Sequence, residues 1–196
     1  MKNINGCEKI LAKFCTMFSL FMLLLSSLLS LATSHTLTFQ NLFSSPRLLI
    51  FTPNSGSYSI PPQTIAPSQY LSLSAPDWSG NFKAADPDFY RLENPGPEKY
   101  ILGEVCFACW QDITFFDVSA IWNCCDNEGV HWMWGYDGDR NGNGTGEGQY
   151  GLTREDVIEG DVSGCERFPC EGVYNESDDV QTKTTTKDAI WVVLGP

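Results

Sequence analysis

From Thr36 to Leu194 apolar and polar residues alternate over short runs, and little of the chain repeats at the three-to-four spacing of a helix. The alternation predicts strands at 36–41, 47–52, 58–60, 69–74, 81–85, 101–109, 113–118, 130–134, 179–185 and 189–194. Between them lie backbone breakers such as Pro53-Asn54-Ser55-Gly56, Pro61-Pro62, Pro76-Asp77 and Asn94-Pro95-Gly96-Pro97. Many short strands so punctuated point to an all-β sandwich or barrel.

One stretch breaks the pattern. Residues 135–148 include six glycines in fourteen positions and carry no apolar side chain except Tyr136, so 135–162 reads as a loop excursion from the sheet. Within it Asp137, Asp139 and Asn141, followed by Gly142, match the first half of a calcium-binding loop, where oxygens at alternate positions wrap the ion. The closing position holds Gly148 with Glu147 one residue early, which leaves weak calcium binding or a plain solvated acidic loop, and otherwise no cofactor is expected.

The N-terminus obeys a different rule. Lys2, Lys9 and Lys13 precede an apolar run from Phe14 to Leu31, and Ala32-Thr33-Ser34 supplies the small residues of a cleavage site. Residues 1–34 therefore read as a signal peptide and 35–196 as the mature domain, secreted and with no membrane contact after cleavage. An uncleaved anchor is the competing reading. With 24 acidic against 12 basic side chains the chain excludes nucleic acid as a partner, and it tolerates neutral sugars or basic proteins. Its two histidines are too few for a polyhistidine metal centre. A monomer is expected.

Of eight cysteines, Cys7 and Cys15 leave with the leader, and six in an oxidising compartment predict three disulfides. Cys165 and Cys170 bracket a short proline bend and are expected to close on each other. Cys106, Cys109, Cys124 and Cys125 then pair among themselves, most simply across neighbouring strands; a four-thiolate zinc site is the rival, weakened by the adjacency of Cys124 and Cys125. Asn143 and Asn175 head glycosylation sequons, and a glycan on Asn143 would compete with calcium.

The segment 103–121 carries the candidate chemistry. A hairpin turning at Trp110-Gln111 would set Glu104 opposite Asp117, their Cβ atoms about 5 Å apart. Two carboxyls so placed resist joint ionisation, as in the acid pairs of glycoside hydrolysis. The plainer reading is two solvated surface acids.

The order of short motifs resembles the thaumatin-like proteins, most closely their compact fungal members. The resemblance rests on Thr38-Phe39-Gln40-Asn41, Ile60-Pro61-Pro62-Gln63, Ala75-Pro76-Asp77-Trp78-Ser79-Gly80-Asn81, Gly103-Glu104-Val105, Phe115-Phe116-Asp117-Val118-Ser119-Ala120-Ile121, Ser163-Gly164-Cys165, Phe168-Pro169-Cys170 and Asp178-Asp179-Val180-Gln181-Thr182-Lys183. It implies a thaumatin-like β-sandwich with loop-borne disulfides and an acidic cleft that in some relatives binds or slowly hydrolyses β-1,3-glucan. Glu104 and Asp117 stand at the cleft's glutamate and first aspartate. The next aspartate position falls on Trp122, the arginine position falls on Asn81 or Ala85, and the third aspartate has no place in the chain, so three of the family's five cleft charges are missing. Trp78, Trp110 and Trp122 are the candidate sugar-stacking rings, if they are not simply packing residues. Three expectations follow. The first is a protein that binds cell-wall polysaccharide through the acidic cleft. The second is a weak endo-β-1,3-glucanase with Glu104 as general acid and Asp117 as base or nucleophile. The third is a secreted effector or defence-type protein without carbohydrate activity.

Overall fold

The short alternating runs assemble into two packed sheets in a computed structural model that describes residues 35–93, 100–124, 127–137 and 162–195. The chain divides into the units Met1–Thr33 and Ser34–Pro196, and all that follows concerns the second. Its strands are β1 (Thr36–Asn41), β2 (Arg47–Pro53), β3 (Gln63–Ile65), β4 (Tyr70–Ser74), β5 (Ser79–Ala85), β6 (Leu102–Trp110), β7 (Ile113–Ser119), β8 (Val130–Tyr136), β9 (Val162–Gly164), β10 (Lys183–Thr185) and β11 (Ala189–Leu194). A helix of about two turns, α1 (Pro87–Glu93), interrupts them. One sheet runs β4-β1-β11-β8-β9 and the other β10-β7-β6-β5-β2-β3. The all-β sandwich expected from the alternation is what the chain forms.

Side chains on the inward positions make one core. Leu37 and Phe39 of β1, Met133 of β8 and Ile190, Val192 and Leu194 of β11 meet Leu49, Phe82, Val105, Phe116 and Val118 from the six-stranded sheet. Phe39 sets its ring edge-on to Phe82 with centroids 5.0 Å apart, a packing that aromatic quadrupoles favour. β1 and β11 pair in parallel, so the first and last strands close the five-stranded sheet side by side.

Three departures from the alternation have local causes. Residues 58–60 form no strand; Pro61 and Pro62 lack N–H groups, and the chain pairs only beyond them, as edge strand β3. The run 179–185 contracts to β10 because Asp179 is committed to a turn, its Oδ2 accepting from the N–H groups of Asn175 and Glu176. The helix α1 starts where Asp86 caps it: Oδ1 accepts from the N–H groups of Asp88 and Phe89, and Pro87 follows at the first helical position. The Phe89 N–H foremost, with those of Asp88 and the Arg47 charge adding to it, holds the Asp86 carboxyl below its ordinary pKa against the smaller cost of burial.

Buried polar residues tie the ends of the sandwich. Arg47 is buried with its guanidinium 4.0 Å above the Phe43 ring and 3.8 and 3.5 Å from the carboxylates of Asp86 and Glu128. His131 is fully buried, its ring nitrogens beside the carbonyls of Cys165 and Asn127 at 3.1 and 3.2 Å.

Candidate functional site

The β6–β7 hairpin builds the site. Its turn is Gln111-Asp112, both residues having positive φ (52° and 59°), the backbone that matches the twist of two antiparallel strands. That is one residue later than Trp110-Gln111. Without irregularity a turn at Gln111-Asp112 would set Glu104 opposite Ser119, but a bulge between Cys106 and Trp110, with Ala108 at φ 49°, restores the pairing with Asp117. Glu104 lies directly across from Asp117, and on its other side from Asn81 of β5. All three face outward from the six-stranded sheet, alternating with the core residues Phe82, Val105, Phe116 and Val118.

Glu104 and Asp117 line a groove of about 190 Å³ together with Asn54, Gly80, Cys106 and Phe115. Glycine is required at position 80, since a Cβ there would strike the Thr52 carbonyl oxygen and the Trp78 ring. Asp117 is the deepest of the polar groups at 7% exposure. Burial first, then the Glu104 charge and a hydrogen bond with Glu104, push its carboxyl up to about 7. The Thr182 hydroxyl, donating to Oδ2 at 3.5 Å, pulls the other way. Oδ1 is buried without a hydrogen-bond partner, so the charged form is poorly solvated. Near neutral pH Asp117 can therefore give or take a proton, beside oxygens able to accept from hydroxyl or amide donors.

The remaining candidates do not converge on this groove. Trp78 is a core residue with no exposed surface; its Nε1 donates to the Tyr58 carbonyl at 3.0 Å and its ring packs edge-on to Phe51, so its expected place as a sugar platform is corrected. Trp110 and Trp122 are 62% and 58% exposed, but Trp110 sits at the hairpin turn, paired with Ile113, Trp122 follows the far end of β7, and neither lines the groove. Cys165 and Cys170 close on each other as their spacing suggests. The other group does not pair across strands: Cys106 bonds Cys109 within β6, and Cys124 is exposed. Asp137 pairs with Lys187. Asp139, Asn141, Asn143 and Cys125 fall outside the described residues, among which no cluster of metal-ligating side chains occurs. Asn175 Nδ2, the atom a glycan would occupy, donates to the Cys170 carbonyl at 2.7 Å.

Sequence reasoning missed three contributors. Thr182 reaches Asp117 only because β10 joins the edge of β7. Asn54 is set by its bonds to Ser79, the residue before Gly80. Lys83, two residues after Asn81 on the same outward row of β5, supplies a cation near the position where the family resemblance finds no arginine, but its ammonium lies over the rings of Tyr100 and Tyr90 at 4.6 and 5.4 Å. The period-two spacing of Asn81, Lys83 and Ala85 was the available signal.

These features define a two-sheet, disulfide-bearing β-sandwich with an acid pair on one outer face. The fold is shared with a protein elicitor of Magnaporthe oryzae, MoHrip2, at 13% identity and a TM-score of 0.54, over 83% of this chain and all of that one. No protein-family profile matches the chain. It is 35% identical over 161 residues to the antigenic protein SchS21 of Stachybotrys chartarum, covering 82% of this chain and 94% of SchS21. The chain belongs to the SchS21 family.

Proposed function

We propose that this protein is a secreted effector or defence-type interaction protein, acting by the surface it displays rather than by turnover. The observation that carries this reading is the near full-length relationship to a protein named for its antigenicity. The fold shared with a protein elicitor agrees with it. The acidic surface suits a soluble extracellular protein and a basic protein partner. The test expresses the full chain in a secreting host, sequences the N-terminus of the protein recovered from the medium, and applies that protein to leaf tissue while the oxidative burst is followed. Recovery beginning near His35 and a burst that heat-denatured protein does not produce support the reading. Retention inside the cell or an inert protein overturns it.

A second reading is favoured by one feature, the proton-sharing pair Glu104 and Asp117 in an open groove. Under it the chain is thaumatin-like in function as well as in motif order, binding β-1,3-glucan or cleaving it slowly. Loss of the arginine from the cleft set argues for binding over hydrolysis. Retention on insoluble β-1,3-glucan that Glu104→Gln abolishes supports it, and reducing-sugar release with the same dependence makes it an enzyme. Passage through the glucan unretained sinks it.

A further inference from the structure

The segment Cys106-Phe107-Ala108-Cys109 closes a Cys-x-x-Cys ring, and its surroundings differ from those of Cys165–Cys170. Cys106 lines the groove together with Glu104 and Asp117, while Cys109 is exposed beyond it. The ring spans the β6 bulge, where Ala108 holds the left-handed backbone that a residue with a Cβ rarely adopts. Cys165 and Cys170 instead pack against the main core beside Phe168. Both cysteines of one disulfide are half-buried against the core, whereas the other disulfide has one exposed cysteine and one half-buried cysteine in a groove it shares with two carboxyls.

We propose that Cys106–Cys109 is a redox-active disulfide that exchanges with thiols at Cys109, with Glu104 and Asp117 handling the proton of Cys106. The thiolate of an incoming thiol bonds to Cys109 Sγ, the Cys106–Cys109 bond breaks, and its electron pair leaves on Cys106. The proton held by the carboxyl pair passes to that sulfur. A second thiolate attacks the external sulfur of the mixed disulfide and releases Cys109 as a thiolate that takes a proton from water, so the protein gains two electrons as a dithiol and two external thiols become one disulfide. In reverse, the carboxyl pair takes the Cys106 proton, and the thiolate closes on a mixed disulfide at Cys109. Exposure directs attack to Cys109, since Cys106 is half-buried on the groove floor. Negative charge in the same groove would disfavour a lasting thiolate at Cys106, so a proton donor there speeds its departure. Asp117, with its carboxyl raised to about 7, retains such a proton under near-neutral conditions.

The experiment incubates the purified full chain with reduced and oxidised glutathione, quenches with acid, alkylates free thiols and maps the cysteine peptides by mass. The expected result is exchange at Cys106–Cys109 at least about tenfold faster than at Cys165–Cys170, with glutathione on Cys109 and an alkylated thiol on Cys106. The rate per unit of glutathione thiolate should fall as pH rises through about 7, and Asp117→Asn should flatten that profile. Thr182→Val, which removes a hydrogen bond holding the Asp117 pKa down, should shift the break to higher pH and serves if the first variant fails to fold. Equal rates at the two disulfides, glutathione on Cys106, or a profile that neither variant moves would overturn the proposal.

Discussion

The outward faces of the two sheets arise from the same alternation and carry opposite chemistry. On the five-stranded sheet Trp134 and Trp191 stack with centroids 6.2 Å apart and planes 16° from parallel, and Tyr136 and Tyr70 meet Trp191 edge-on. Both indoles are 2% exposed, and both Nε1 atoms are buried without a hydrogen-bond partner. On the six-stranded sheet the corresponding row holds Asn81, Glu104 and Asp117. Burying neutral rings stabilises the first face through area and contact. Burying a carboxylate costs free energy, and the second face tolerates it by keeping a proton on Asp117. One face is therefore held by shape and the other by protonation, and the two should respond to different perturbations.

The largest effect should come from Trp191→Ala, which removes a ring contacted by three aromatic neighbours. Urea unfolding should show a loss of about 3 to 5 kcal/mol at every pH. A loss confined to alkaline pH would mean that the aromatic face is also held by charge.

Asp117→Asn should act in the other direction, with a gain that grows from about pH 4 and is complete a little above pH 7. The folded-state pKa of about 7 lies above the unfolded value, so the folded protein keeps a proton that the unfolded chain has already lost. Its stability falls as pH rises from about 4 through 7. Asparagine removes that fall: thermal melts at pH 8 should show a gain on the order of 3 kcal/mol, and melts at pH 4 almost none. A variant equally stabilised at both pH values would break the contrast between the faces.

Trp134→Phe separates ring area from the indole N–H. Losing volume costs stability while removing an unpartnered buried donor restores some, and the two should offset to within about 1 kcal/mol in the same unfolding measurement. Glu104→Gln is subtler still. It removes a like charge but leaves burial in place, so the Asp117 carboxyl resonance should titrate at lower pH than in the parent and still above an ordinary aspartate. The smallest response belongs to Lys187→Ala, whose exposed pairing with Asp137 should matter by no more than about 0.5 kcal/mol in thermal melts.

Much of the sandwich was readable because strands half-buried on one face leave a period-two trace. β1 and β11 occupy the predicted positions and β2, β4 to β8 and β10 differ at their ends, whereas 58–60 forms no strand and β3 and β9 were not expected. The facing of Glu104 and Asp117 was readable too, but for an incomplete reason: the turn falls one residue later, and the bulge supplies the compensation. A bulge leaves no mark in an alternation that resumes on the same face beyond it. The cysteine group misled because adjacent strands offered a partner, whereas the bulge brought Cys106 and Cys109 together within one strand, their Cα atoms 5.6 Å apart.

Local pattern by itself determined the strands, the breakers, the acidic balance and the Cys165–Cys170 closure, since each depends on residues within a few positions of one another. Tertiary structure alone decided that Trp78 is core, that Thr182 reaches Asp117, and that Trp134 lies flat against Trp191. Those outcomes join residues up to 65 positions apart. They follow from which strand edges pair and which faces meet, a choice made by the packing of the whole core and not by any one segment.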